Sequence, residues 1–248
     1  MKKKKNFRKL SRKISQTPGL DIDNFEKTCV DLLGLCRIIK DQNDTNQSLL
    51  KNFIKIRLVS IVEFNLKGFI SSLIDNQDLK PNEILDDDSI IIDVDVLQNI
   101  KSEEYTKGKI IVAHLDKMNA EIISDMMNKI NRLDAFKWFD NLLSYEKNTF
   151  WKSFKELYRE RNDLTHNLID TEDSISTLSM RIQIINHNIY ALYVFTNLNL
   201  DIFTHGFPQS SIEQKYENQL NKLNLNYQKF KDITTKFRKD YRPFYKKY

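Results

Sequence analysis

Five glycines and four prolines in 248 residues leave this chain few places at which a helix can be broken. Glycine weakens a helix through backbone entropy, and proline removes a donor and clashes with the preceding turn. So few of either predicts long helices rather than many short strands joined by tight turns. The apolar residues, 40% of the chain, suffice for a sizeable core. They also recur at helical spacing. One run is Ile22, Phe25, Cys29, Leu32, Leu33, Cys36 and Ile39; a second is Leu50, Phe53, Ile54, Leu58, Ile61, Leu66, Phe69 and Leu73.

The expected fold is all-α, a bundle of long helices. Helices are predicted over about 21–41, 47–75 and 102–131, with shorter pieces near 133–145, a helix from near Asn148 through His166, another over about 173–203, and a last one starting near Ser211. The cluster Asn43-Asp44-Thr45-Asn46 is placed to cap the second helix. Residues 76–100 break the pattern; Pro81 and Asp86-Asp87-Asp88 read as loop, and 90–96 as a short strand or extended segment. The organisation expected is a basic disordered leader over 1–18, a helical domain over 19–205, and a C-terminal helix with a basic-aromatic tail over 206–248.

Charge is distributed unevenly. Residues 1–13 hold eight Lys and Arg and no acid, and residues 229–248 hold eight against two acids, whereas 14–228 hold 23 bases and 32 acids. Basic ends on an acidic body are suited to holding a polyanion, or else to keeping the chain soluble. In the C-terminal tail, Lys236, Arg238 and Arg242 alternate with Phe237, Tyr241, Phe244 and Tyr245. Aromatic stacking combined with phosphate contacts holds single-stranded nucleic acid, which makes Lys236, Arg238, Tyr241 and Arg242 candidate RNA contacts. The same aromatics equally suit the packed face of a last helix.

The two cysteines, Cys29 and Cys36, lie seven apart on one helical face and are expected to be buried thiols. Two Cys and four scattered His match no zinc spacing, and no metal or cofactor is expected. The charged start has no apolar segment behind it, and no apolar run nears the ~20 residues of a membrane helix. A cytoplasmic location away from membranes is expected.

The chemistry points to one helix. Phe150, Phe154, Leu157, Leu164 and Leu168 form a stripe, and its missing member, at the 4-3-4-3 position, is Arg161. A guanidinium stays charged in proteins, so one placed in an apolar stripe requires an acid, a bound phosphate or a wet cleft. A structural ion pair to a core acid such as Glu63 is one answer; a catalytic site is the other. His166, five residues on, lies about 140° around an ideal helix from Arg161. Arg159, Asn162 and His166 instead share a row. Arg161 and His166 therefore meet only if the helix distorts near Thr165 or a second copy of the chain completes the site. Such a pair suits metal-independent RNA cleavage: the imidazole moves protons and the guanidinium binds the scissile phosphate. Arg181 and His187 satisfy a looser form of the spacing but sit in an apolar stretch, and His187 reads as a core or interface histidine.

The string Arg161-Asn162-Asp163-Leu164-Thr165-His166 resembles the signature of HEPN domains, an Arg followed by a polar residue with a His a few residues later. The segment Arg57-Leu58-Val59-Ser60-Ile61-Val62-Glu63-Phe64 is similar to the early long helix of those domains, which often carries a Glu. The resemblance covers about 45–205. It implies an all-helical, dimeric, metal-independent endoribonuclease of prokaryotic toxin or antiphage-defence type, acting on tRNA or mRNA. Arg161, Asn162 and His166 would be its catalytic residues and Glu63 the residue that positions Arg161; Arg159 is a candidate RNA contact because it shares the helical row of Asn162 and His166. A cognate antitoxin or defence-system partner would accompany it. Many HEPN domains are catalytically silent, so a non-catalytic RNA-binding or dimerisation module is the alternative.

Overall fold

The structure, a computed structural model, describes residues 21–76, 106–114, 120–131, 150–166 and 173–205, together with Gln214, Glu217, Asn218 and Asn221. Among these residues there are six α-helices and no strand: α1 (Ile22–Ile39), α2 (Asp44–Asn76), α3 (Lys107–His114), α4 (Ala120–Asn131), α5 (Phe150–His166) and α6 (Ile175–His205). The fold is all-α. The single helix expected over 102–131 is described as two, α3 and α4, with 115–119 outside the described residues. The leader 1–18, the segment 90–96, the pieces near 133–145 and the C-terminal tail also lie outside them.

Polar caps start most of these helices. The Asp21 carboxylate accepts the Asn24 N–H at 3.0 Å, and Asn43 Oδ1 accepts the Asn46 N–H at 2.9 Å. Thr106 and Ser174 do the same for α3 and α6, accepting from Lys109 and Thr177 at 3.2 and 3.0 Å. Each bond satisfies one of the N–H groups that a helix start leaves without an intrahelical partner.

The 33-residue α2 is the hub, packing against all five other helices. It spans about 50 Å at 1.5 Å per residue. From Ile54 onward it is buried on most of its circumference, through Leu58, Val59, Val62, Leu66, Ile70 and Ile74, as a helix surrounded by neighbours must be. Phe53, placed in the core by its spacing, is instead 54% exposed. In α1, Phe25, Cys29, Leu32, Cys36 and Ile39 form the buried stripe as expected, against α2 and α6. Both cysteines are free and buried.

Between α2 and α3 the backbones nearly touch. A Cβ on Gly108 would lie 2.0 Å from the Ser71 carbonyl oxygen, so only glycine fits. The Gly108 N–H, in the first turn of α3, donates to Asp75 Oδ1 at 2.6 Å and ties that turn to the end of α2.

Candidate functional site

Helix α5 packs on α2, α4 and α6, burying Phe154, Leu157, Tyr158 and Leu164. The Phe154 and Tyr158 rings meet edge to face at 4.8 Å. Arg161 stands in that stripe with its side chain 26% exposed. Its Nη2 donates to Glu63 Oε1, on α2, at 3.1 Å. The guanidinium carbon lies 5.5 Å from the centroid of the Tyr158 ring, within cation–π range. The acid anticipated from the sequence is thus the one that meets Arg161.

The compensation is incomplete. Arg161 Nε is buried without a hydrogen-bond partner. The Tyr158 hydroxyl beside it is buried as well. Burial above all, then the charge of Glu63 and its pull on the phenolic proton, push the Tyr158 phenol well above its ordinary range, against a smaller opposing effect of Arg161. The approach to Glu63 falls short of a full hydrogen bond, and the phenol oxygen stays unsatisfied. Glu63 therefore faces a charged and a neutral donor, both on α5 and three residues apart.

Arg159 and Asn162 are exposed on another face of α5. The backbone is α-helical from Arg161 to His166, so it keeps the offset of about 140° between those positions. The Thr165 hydroxyl donates back to the Arg161 carbonyl at 2.8 Å without ending the helix. The His166 side chain, and the tail residues Lys236, Arg238, Tyr241 and Arg242, lie outside the described residues.

A second set of charges, one turn away on α5, was not anticipated. Lys55 on α2 is fully buried, and its ammonium lies 2.9 Å from both Glu160 Oε2 and Asp173 Oδ2. Arg181 on α6 joins the same acids, reaching Glu160 at 2.9 Å, Asp173 at 2.7 Å and also Glu156 at 3.2 Å. Lys51 donates to the Asp173 backbone carbonyl at 3.2 Å. Two cations and three carboxylates thus lock α2, α5 and α6 together. Arg181, which satisfied the looser sequence spacing, is wholly engaged in this lock. Its detectable signal was the same as that of Arg161, a cation within a buried row: Lys55 precedes Leu58 and Val62 at helical spacing, and Arg181 lies between Leu178 and Ile185. Among the described residues no group of three or more His, Cys, Asp or Glu is arranged to hold a metal, the three acids here being turned onto Lys55 and Arg181.

No family model matches this chain, and no curated protein or solved structure proves similar to it.

Proposed function

We propose that this chain is a metal-independent endoribonuclease of the toxin or antiphage-defence type, working as a homodimer on tRNA or mRNA. The observation that carries the reading is Arg161, a guanidinium in an apolar stripe that is held by one hydrogen bond to Glu63 while its buried Nε has none. The guanidinium is still about a quarter exposed, and a scissile phosphate, an anion that accepts from two guanidinium nitrogens at once, suits the donors it presents there.

In this scheme Arg161 binds the phosphate and stabilises the charge that builds on it. Glu63 holds Arg161 in place. One His166 takes the proton from the ribose 2′-OH as that oxygen bonds to phosphorus. The other His166, from the second copy, donates a proton to the departing 5′-oxygen as its bond to phosphorus breaks. Asn162 orients His166 or contacts the phosphate. The products are a 2′,3′-cyclic phosphate and a 5′-hydroxyl. The unbroken helix between Arg161 and His166 favours a site shared by two copies over one closed within a single chain. A cognate antitoxin or defence-system partner would keep such an activity in check.

Purified protein incubated with total RNA in EDTA, wild type beside His166→Ala, tests this. Fragments with cyclic phosphate ends are expected from the wild type and not from the variant, with both proteins dimeric by light scattering. Wild-type cleavage by the variant, or none by either, overturns the reading.

The Arg161–Glu63 pair itself supports a second reading, a non-catalytic RNA-binding or dimerisation module in which Arg161 joins α5 to α2. Arg161→Ala would then lower the melting temperature of a protein that leaves RNA intact.

A further inference from the structure

Helix α5 turns most of its acids inward and a row of cations outward. Of its three acids, Glu156 and Glu160 turn onto Arg181 and Lys55, while Asp163 stands half-buried beside Asn162. Lys152, Lys155 and Arg159 are all exposed, as is Asn162. Those four positions step by three, four and three, which places them in one row along the helix. The row covers about 15 Å of helix axis. Position 166 extends it by one further turn. The reversal of sign is local, since residues 14–228 hold more acids than bases.

We propose that this row is the track for the sugar–phosphate backbone of a single RNA strand, which it leads to the C-terminal turn of α5. The choice of RNA rests on the ribonuclease reading above. Charge complementarity supports a nucleic-acid strand over an acidic protein segment: a strand carries one negative charge per nucleotide along a line, as the row carries its cations, and acidic side chains seldom recur at that density. Lysines on flexible stems hold phosphates as point charges without regard to base, so the track positions the strand and does not select its sequence. The lock formed by Lys55 and Arg181 withdraws two of the three acids of α5, Glu156 and Glu160, from the exposed side, where Lys152, Lys155 and Arg159 outnumber Asp163.

The test is binding of a short fluorescent 2′-O-methyl oligoribonucleotide, which lacks the nucleophilic hydroxyl and survives any cleavage. Anisotropy is followed over a range of KCl for the full-length wild type and for Lys152→Gln/Lys155→Gln/Arg159→Gln. Each phosphate neutralised on a single strand contributes about −0.7 to the slope of log K against log salt. The triple variant is expected to bind more weakly, with a slope shallower by about 2 because three phosphates are no longer neutralised. The tails are identical in both proteins, so the difference belongs to α5. Overlapping melting curves are expected because all three positions are exposed.

Superimposable binding lines for the two proteins overturn the proposal, as does a wild type that fails to bind at low salt. Poly-glutamate that displaces the strand as readily as RNA at matched charge overturns it in favour of an acidic protein. Cleavage of ordinary RNA, assayed in parallel, separates the two readings. Binding through the row without cleavage keeps the track and removes the ribonuclease. Equal cleavage and binding by both proteins keeps the ribonuclease and removes the track.

Discussion

Two buried or half-buried cations of this protein have contrasting surroundings. Lys55, with no exposure at all, meets two carboxylates at 2.9 Å, and those acids are shared with Arg181. Arg161, about a quarter exposed, meets one carboxylate and keeps a bare Nε. Removing one partner of a buried ion pair strands the other charge away from water, and that loss, more than the pair's own attraction, determines the cost. Lys55→Met is therefore expected to destabilise the fold by about 3–5 kcal/mol, read as a lowered urea midpoint at unchanged slope. Arg161→Met is expected to cost distinctly less, because Arg161 is itself about a quarter exposed and makes one ion pair, where the fully buried Lys55 makes two. Equal losses for the two would make Arg161 as structural as Lys55. The sequence pointed to Arg161 and to Glu63, since a cation among Phe154, Leu157 and Leu164 stands out and the helix carrying Glu63 was visible. Lys55 carried the same signal, standing at helical spacing before Leu58 and Val62, but in a lysine-rich chain it reads as one more surface lysine.

At the scale of the elements, the helices follow from periodicity, and their close approaches follow from single small residues. Gly108→Ala would place a methyl group 2.0 Å from the Ser71 carbonyl oxygen. Neither backbone can give way alone, so α2 and α3 must separate. The expected cost is about 1–3 kcal/mol or more, measured by chemical denaturation, and it exceeds the small gain in intrinsic helix propensity that alanine brings. A variant as stable as wild type would show that α3 packs elsewhere in solution. Phe53 shows where periodicity fails. A repeat of three and four marks a face of the helix, but which neighbours cover that face changes along a helix of 33 residues. Near its start α2 is only partly covered, and Leu49 and Phe53 remain outside.

At the scale of the whole molecule, three buried acids link the fold to alkaline pH: Cys29, Tyr158, and Cys36, whose thiol burial raises against a weaker opposing hydrogen bond with Ser179. Burial, helped by the nearby charge of Glu26, pushes the Cys29 thiol up to about 12 from its ordinary value near 9. Burial and Glu63 raise the Tyr158 phenol as well. For all three groups the folded state holds its proton after the unfolded chain has released it. The unfolded state then binds fewer protons, so stability falls as pH rises. The fall begins near pH 9 for Cys29 and Cys36 and near pH 10 for Tyr158, and for Cys29 it ends near 12. Each group contributes up to ~1.4 kcal/mol per pH unit within its window. The melting temperature is expected to hold up to about pH 8.5 and then drop. Cys29→Ala should show a shallower drop between about pH 9 and 10, where Tyr158 does not yet contribute. An alkaline decline identical in that variant would remove Cys29 from the account.

What the sequence determined by itself was the all-helical class, the approximate extent of α1, α2, α5 and α6, the buried cysteines and the oddity of Arg161. These are local properties: each is carried by spacing along one helix and by the scarcity of glycine and proline. Only the tertiary structure decided which charges meet. Glu160 and Asp173 lie thirteen residues apart in the chain and flank a segment outside the described residues, yet they converge on Lys55 more than a hundred positions earlier. An ion pair between helices depends on distance in space, and no spacing along a single helix encodes it. The same holds for the exposed row on α5. Lys152, Lys155 and Arg159 are legible as a helical row, but that Glu156 and Glu160 are drawn away from their side of the helix depends on Lys55 and Arg181, which sit on two other helices.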